Sequence, residues 1–268
     1  MVYENRPQQR PREGAHVMGV TFSTVPAGFG PAHLAILAVI AAATVALYFI
    51  LKRLSEQKLI RLLFLLGAAM LVLEIWKQWF VYRYVYGGTL SAWFFPWQLC
   101  SIAMYLSFLM PLLKGRAQDT ALVFLATFSF LAAVVALVFP GDMLRPQILL
   151  FCHGFLYHGA MVVESLIAAL ILLRREKAPF LPSVWLFLAL AAVAEIINVV
   201  SHALFSERKM ASNMFNITPY YPSTQPVFHE IAVSLGILPE ILIYLALIIL
   251  GSWGLYRLLY GVGKRKKA

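Results

Sequence analysis

Charged residues are scarce in this 268-residue chain: they make up 13% of it, whereas 61% of the residues are hydrophobic. Soluble domains carry about 25% charged residues and roughly half apolar ones, so the composition excludes an ordinary soluble domain. Several apolar runs reach the roughly 20 residues that a helix needs to cross a hydrocarbon core. The runs are continuous and do not alternate, which excludes a transmembrane β-barrel. The sequence therefore predicts an all-α, polytopic membrane helix bundle.

Cysteine and metal-binding patterns are equally sparse. Cys100 and Cys152 are the only cysteines, too few for a disulfide framework although sufficient for one bridge between them. No HxxxH or HExxH pattern is present, so no metal and no cofactor are expected. A scattered set of nitrogen and oxygen donors stays open as a weaker metal-binding alternative: His153, His202, Glu74 and Glu195.

Other absences remove further classes of protein. The last apolar run contains no lysine, which excludes a retinal Schiff base of the rhodopsin type. Residues 1–30 contain no apolar core of a signal peptide, so no cleavable signal is expected. No basic stripe interleaved with aromatics lies outside the loops, so no nucleic-acid partner is expected despite a net charge of +10.

The apolar runs predict seven membrane-spanning helices within a membrane domain at 31–260. A polar tail (1–30) precedes this domain, a basic tail (261–268) follows it, and a long polar loop (206–234) precedes the last helix. The predicted spans are about 31–51, 58–82, 92–113, 120–139, 145–174, 181–205 and 237–260.

The basic residues predict how these helices are oriented. Most of the 22 lysines and arginines fall in the connections after helices one, three, five and seven. Because short cytoplasmic loops are enriched in Lys and Arg, this pattern favours an N-terminus outside and a C-terminus in the cytoplasm.

Polar residues inside the apolar runs cluster near the predicted outer ends of the helices. Ionisable groups in a membrane domain are costly unless they face a cavity or a partner, so the cluster predicts a polar pocket that opens outward. Helical phase places His153, Tyr157 and Glu164 on one face, and Asn198 and His202 on another. The candidate pocket residues are Glu74, Trp97, Gln98, Cys100, His153, Tyr157, Asn198, His202 and Asn213.

A thiol and an imidazole at similar depth favour nucleophilic catalysis, in which Cys100 carries an acyl group and His153 acts as the base. Two alternatives stay open from the residues alone. Cys100 and Cys152 lie at matching depth and can form a structural disulfide. Each side chain can also be an inert part of the helix core.

Three motifs carry a resemblance to a known family. The segment 96–102 (PWQLCSI) resembles a helix-entry motif of the YwaF-like bacterial integral membrane proteins, whose group includes the animal transmembrane protein 164, a lipid acyltransferase. The segment 149–154 (LLFCHG) resembles that group's second motif, and 213–215 (NMF) resembles a third. The resemblance runs from about residue 30 to 260.

This resemblance implies a bacterial plasma-membrane enzyme that acts on the acyl esters of membrane phospholipids. Cys100 is then the acyl-accepting nucleophile and His153 the general base, with Asn198, His202 or Asn213 orienting the base or the carbonyl. A non-catalytic membrane protein that binds lipid or another ligand in the same pocket is the alternative. A small-solute transporter is a third interpretation.

Overall fold

The computed structural model describes residues 21–175, 178–205, 211–223 and 225–265. Parts of three predicted segments therefore lie outside the described residues. These parts are 1–20 of the N-terminal tail, 206–210 and 224 of the polar loop, and 266–268 of the basic tail.

The described part of the chain is all-α, apart from an isolated β-bridge between Thr21 and Gln147. One π-helical turn (Val81–Val85) extends α2, and another (Leu125–Ser129) joins α4 to α5. Two short 3-10 turns occur at Ala92–Phe94 and Met214–Asn216. The helices are α1 (Pro31–Leu51), α2 (Glu56–Phe80), α3 (Leu99–Leu109), α4 (Gly115–Phe124), α5 (Phe130–Val138), α6 (Ile148–Leu172), α7 (Leu181–Phe205), α8 (Pro226–Leu235) and α9 (Ile237–Arg265).

Six helical stretches in the described residues are long and apolar enough to cross a membrane. They are Pro31–Leu51, Glu56–Val85, Gly115–Val138, Ile148–Leu172, Leu181–Phe205 and Ile237–Gly261. Many large apolar side chains on their outer faces are exposed, as expected where the surrounding solvent is lipid. The protein is therefore a multi-pass membrane protein.

The predicted third span differs from the others, because only α3 forms a regular α-helix within it. Its 11 residues rise about 16 Å, roughly half of a hydrocarbon core. Phe95 precedes Pro96 and is held out of the helical region at ψ 133°, and Gln98 is extended at ψ 159°. The helix therefore begins at Leu99, several residues later than predicted.

The segment around α3 nevertheless runs alongside α2 for most of its length. Near the end of α2, the side chain of Gln78 donates a hydrogen bond to the carbonyl of Phe94. In the middle of α2, Gly67 lies against the backbone of Ser107. Where α2 begins, its first turns line one pocket together with residues from 111–115. The two segments are thus antiparallel neighbours.

Helix α6 forms the centre of the bundle. It packs against each of α1 to α5, and one apolar cluster joins it to these helices. A second cluster joins α3 and α4 to α7, the 214–216 turn and α9. Helix α1 lies at the outside, with only His33 and Leu51 buried.

The end of the bundle where α2 begins is held by arginines, and we call it the arginine end. Arg175 donates to Glu56 at 2.5 Å and to Asp119 at 2.6 Å, and Arg174 donates to the carbonyl of Leu54 at 2.5 Å. Although burial opposes the charged form, the hydrogen bonds from Arg175 to Glu56 and Asp119 raise the pKa of Arg175 above its ordinary value. These bonds tie the connection after α6 to the connection after α1 and to the first turns of α2 and α4. The opposite end, which contains the start of α3, is called the Gln98 end.

Candidate functional site

His153 lies one turn inside α6 at the Gln98 end, between two aromatic rings. Its ring centroid is 5.9 Å from that of Trp76 on α2 and 5.6 Å from that of Tyr157 on α6, and both pairs are stacked. The residue is 8% exposed, and its Nε2 has no hydrogen-bond partner among the described residues. A buried polar atom left without a partner costs about 1–3 kcal/mol. The imidazole is therefore held in place with one nitrogen unused.

A groove between α2 and α6 runs past this imidazole on the lipid-facing surface, while the Nε2 atom itself stays buried. The groove has a volume of about 420 Å³ and is almost wholly apolar apart from His153 and Cys152. Two of its wall residues, Val72 and Leu156, are among the exposed apolar side chains of the spans. The lining residues are Val72, Leu73, Trp76, Leu149, Cys152, His153 and Leu156.

Cys100 is the second residue of α3 and is half-buried. It packs against the apolar cluster that includes Tyr157, the ring that stacks on His153. No hydrogen bond joins its thiol to Nε2 of His153. Cys100 therefore packs in the same apolar cluster as Tyr157, with no hydrogen bond to Nε2 of His153.

Glu74 and its neighbours form a polar collar beside the groove. The carboxylate is 3% exposed, pairs with Lys77 at 2.8 Å and accepts a hydrogen bond from Gln78 at 2.6 Å. Gln78 also donates to the carbonyl of Phe94. The carboxylate of Glu74 is thus engaged in connecting α2 to the segment before α3.

The predicted pocket residue Gln98 clamps the segment 211–218. Its Nε2 donates to the carbonyl of Asn213 at 2.9 Å, and its Oε1 accepts from the backbone N–H of Phe215 at 2.9 Å. Next to it, the indole of Trp97 donates to the carbonyl of Leu190 on α7 at 3.3 Å. Both side chains connect the start of α3 to its neighbours.

Asn198 holds the same segment from α7. Its Oδ1 accepts from the N–H of Met214 at 2.6 Å, and its Nδ2 donates to the carbonyl of Met214 at 3.1 Å. Its Oδ1 also accepts from the hydroxyl of Ser212 at 3.1 Å. Since the amide is fully buried, these bonds use most of its capacity for hydrogen bonding.

The held segment contains strained backbone and unused polar atoms. Phe215 and Asn216 have φ values of 57° and 58°, a region that non-glycine residues rarely adopt. The carbonyl oxygen of the Asn213 side chain accepts from the N–H of Thr218 at 3.1 Å. The Nδ2 of Asn213 and the hydroxyl of Thr218 are buried without partners in the described part of the chain. Such outliers persist where the surrounding structure enforces them.

His202 does not line the groove at His153. Its ring stacks on Tyr220 with centroids 3.6 Å apart, and its Nδ1 is buried with no partner among the described residues. Helix α7, which carries it, packs against α4 and the 214–216 turn. The predicted residues therefore fall into two regions, one around His153 and one around the segment 211–218.

A further buried acid lies deeper along α6. Glu164 is fully buried, and neither of its carboxylate oxygens has a hydrogen-bond partner within the described residues. The hydroxyl of Ser107 on α3 lies beside it. His153, Tyr157 and Glu164 form one buried stripe on α6, as the helical phase predicts, whereas His158 bonds to the carbonyl of Gly154 at 2.8 Å.

The structure argues against two of the chemical alternatives, the disulfide and the metal centre. Cys100 and Cys152 are both free thiols, so the alternative of a disulfide between them is wrong. Three or more His, Cys, Asp or Glu side chains are nowhere close enough to hold a metal in the part of the chain that the structure describes. The set His153, His202, Glu74 and Glu195 therefore does not form a metal centre there.

Sequence reasoning missed two features of the groove. Cys152 is exposed in the groove beside His153, although the sequence analysis considered it only as a disulfide partner. The stacking of Trp76 on His153 depends on how α2 packs against α6. Adjacency to the histidine was the one signal that pointed to Cys152.

A comparison with known families identifies the family of this chain. The model of the TMEM164 family matches residues 28–257, which is most of the chain. The chain belongs to the TMEM164 family. No curated protein and no solved structure gave a significant match. Membership in the TMEM164 family agrees with a multi-pass helical membrane protein whose surroundings are lipid.

Proposed function

We propose that the protein is a membrane-embedded enzyme that transfers or hydrolyses the acyl chains of phospholipid esters. The observation that carries the proposal is the buried, unpartnered Nε2 of His153, a residue that lines a groove on the lipid-facing surface. An imidazole with an unused nitrogen beside a groove that can hold an acyl chain suits a general base. Membership in the TMEM164 family and the motif resemblance to YwaF-like proteins support the same substrate class.

In this proposal Cys100 is the nucleophile and His153 the base. His153 takes the thiol proton while the sulfur attacks the acyl carbonyl carbon, and the lysophospholipid oxygen leaves with that proton. The resulting thioester is then attacked by an acceptor hydroxyl or by water, whose proton returns through His153 to the sulfur. Hydrogen bonds between catalytic groups often tighten only when substrate binds, so an ester in the groove must bring thiol and imidazole together.

Among the orienting candidates, we assign Asn213 to the carbonyl oxygen on the side of Cys100, because the backbone carbonyl of Asn213 accepts a hydrogen bond from Gln98, two residues before Cys100. Its Nδ2 is a buried donor without a partner among the described residues, as a site for developing negative charge requires. The amides of Asn198 and Gln98 are already engaged with the segment 211–218. We therefore assign Asn198 and Gln98 to holding the segment that carries Asn213, and His202, which stacks on Tyr220, to the same supporting role.

The test is the intact mass of the purified protein after incubation with phospholipid liposomes. We expect a hydroxylamine-sensitive acyl adduct on the wild type and on Cys152→Ser, and none on Cys100→Ser or His153→Gln. Thermal unfolding of each variant checks that it is folded. An adduct that is lost in Cys152→Ser and kept in Cys100→Ser contradicts the assignment, because the thiol exposed in the groove is then the nucleophile.

A non-catalytic lipid-binding protein is the second candidate function. It is favoured by the lack of a hydrogen bond between the Cys100 thiol and Nε2 of His153. In that case phospholipid co-purifies and competes for the groove, while wild-type protein releases no fatty acid and forms no lysophospholipid. Turnover that disappears in both Cys100→Ser and His153→Gln excludes this candidate.

We further propose seven crossings of a bacterial plasma membrane, with the N-terminus outside and the C-terminus in the cytoplasm. The antiparallel course of the α3 segment beside α2, from Gln78 to the first turns of α2, supports a seventh crossing. The basic connections at the arginine end support the orientation. The resemblance to YwaF-like proteins supports the bacterial membrane.

A further inference from the structure

A second pocket lies at the arginine end, at the far end of α2 from Trp76 and His153. It has a volume of about 650 Å³ and is formed where α2 begins and where the chain passes from α3 to α4. Cationic, amide and apolar side chains all contribute to its wall. The lining residues are Gln57, Ile60, Arg61, Pro111, Leu113, Lys114, Gly115 and Gln118.

The pocket carries positive charge that its nearest acids do not balance. Arg61 and Lys114 line it, and neither forms an ion pair with another described residue. Two acids of this end, Glu56 and Asp119, are bound to Arg175. The arginine that neutralises these acids thereby leaves the two cations of the pocket available to an outside anion.

Backbone polarity at the pocket has the same sign as the side chains. Helix α4 begins at Gly115 on the pocket wall, and the N-cap residue Lys114 makes no side-chain capping bond. The free N–H groups at the start of a helix carry partial positive charge and bind phosphate readily. This dipole adds to the field of the two cations.

The apolar side of the pocket continues onto the lipid-facing surface. Ile60, Pro111 and Leu113 form its wall. One turn deeper in the bundle, Phe64 of α2 and Phe108 of α3 stack at 5.4 Å, and both are partly exposed. A free phosphate makes no favourable contact with such an apolar surface, whereas the acyl chain of a lipid can pack along it.

We propose that this pocket binds the phosphate of an anionic membrane phospholipid, with Arg61 and Lys114 as its ligands. The acyl chains lie along the Phe64–Phe108 surface. Basic pockets between membrane helices at a cytoplasmic surface bind anionic head groups in this way. Because the pocket is separate from the groove at His153, the proposal is independent of the enzymatic one.

Native mass spectrometry of the detergent-solubilised protein with phosphatidylglycerol or phosphatidylcholine tests the proposal. We expect the wild type to retain phosphatidylglycerol in preference to phosphatidylcholine. Each basic residue near the head groups contributes to the binding free energy. Arg61→Gln or Lys114→Gln should therefore weaken phosphatidylglycerol binding about fivefold, and the double variant about 30-fold. Arg61→Lys keeps the charge and should keep most of the affinity.

Arg116→Gln is the matched control, since Arg116 is an exposed cation on the same turn of α4 that does not line the pocket. It should change the affinity by less than about twofold. A double variant that binds phosphatidylglycerol like the wild type overturns the proposal, as does equal binding of the two lipids. Displacement of phosphatidylglycerol by millimolar inorganic phosphate overturns the choice of a lipid and indicates a site for free phosphate.

Discussion

At the scale of single residues, Tyr221 gives the clearest pH dependence outside the membrane-spanning helices. Its hydroxyl donates to the carbonyl of Ser212 at 2.8 Å. Burial raises the pKa of the phenol from 10.0 to about 12, against the smaller opposing effect of the nearby Thr218 side chain. A raised pKa means that the fold favours the neutral phenol. The stabilisation is therefore complete below pH 10 and is lost as the pH rises through about 12.

The tyrosinate absorbance of the folded protein measures this shift. The difference titration of wild type minus Tyr221→Phe should contain one phenol with a midpoint near pH 12. The variant Tyr220→Phe, which removes an exposed neighbouring phenol, provides a second difference curve for comparison. A Tyr221 midpoint at the ordinary value of 10 contradicts the burial of its hydroxyl against Ser212.

Asn198 is predicted to stabilise the segment 211–218. Its removal should therefore act mainly on the free energy of unfolding and not directly on the reaction. Asn198→Ala removes both bonds to the backbone of Met214, which leaves that buried N–H without a partner and the carbonyl with only the 3.3 Å bond from the N–H of Ile217. At about 1–3 kcal/mol for a buried group that loses its partner, the free energy of unfolding should fall by about 3 kcal/mol. Denaturation in mild detergent measures the loss.

The control for this change is Glu195→Gln, which alters a partly exposed neighbour that touches Asn198 only at 3.5 Å. Its effect on unfolding should stay within about 0.5 kcal/mol. If Asn198→Ala keeps the stability of the wild type and loses lipid turnover, Asn198 acts on the reacting groups and the assignment of a supporting role is wrong.

At the scale of elements, the closest helix contact is that of α2 with α3 at Gly67. A Cβ at this position lies 2.8 Å from the carbonyl carbon of Ser107 and 2.9 Å from the carbonyl oxygen of Met104. Because these atoms are backbone, they cannot move aside without shifting α3. Gly67→Ala should therefore lower the free energy of unfolding by about 1–3 kcal/mol.

Gly254 on α9 is the matched control, since a Cβ there meets no atom within 4 Å. Gly254→Ala removes the helix cost of glycine and should be neutral or stabilising by up to about 1 kcal/mol. Unfolding midpoints of the two variants, measured side by side, separate the effect of packing from the effect of helix propensity. Equal midpoints for both variants contradict the close approach of α2 and α3.

Most helix boundaries could be predicted from the sequence, because apolar runs ending at proline or at charged residues have few alternatives in a membrane. The runs 31–51 and 181–205 match α1 and α7 at both ends. Helix α3 was predicted too long, because the extended backbone at Gln98 is stabilised by bonds to residues more than 100 positions away. Helix α8 was missed within the predicted loop, although Pro226 begins it and Gly236, at φ 97°, follows its end.

For the candidate site, the sequence predicted which residues share a face of one helix, but not which helices bring their residues together. Helical phase correctly grouped His153 with Tyr157 and Glu164, since three positions on one helix determine their own directions. It also proposed one shared pocket, whereas the structure separates His153 from His202, because α7 packs against α4 and the 214–216 turn. Which helices become neighbours depends on side-chain packing that periodicity does not describe.

At the scale of the whole molecule, the number of crossings depends on the segment around α3. If residues 92–115 cross the membrane, the turn before them and the start of α4 lie on opposite sides. If they do not cross, both lie on the same side, and the chain ends also share a side. The contacts of this segment at the end, the middle and the beginning of α2 favour a crossing.

Cysteine accessibility distinguishes the two arrangements. In a background with Cys100→Ser and Cys152→Ser, we expect a membrane-impermeant maleimide to label Thr89→Cys in intact cells. Ala117→Cys and Ser55→Cys should react only after the membrane is permeabilised, because both positions belong to the arginine end, whose basic loops favour the cytoplasm. Labelling of Thr89→Cys and Ala117→Cys from the same side means that the α3 segment returns to the surface from which it enters, and that six helices cross the membrane. Labelling from opposite sides with reversed accessibility keeps seven crossings and inverts the proposed orientation.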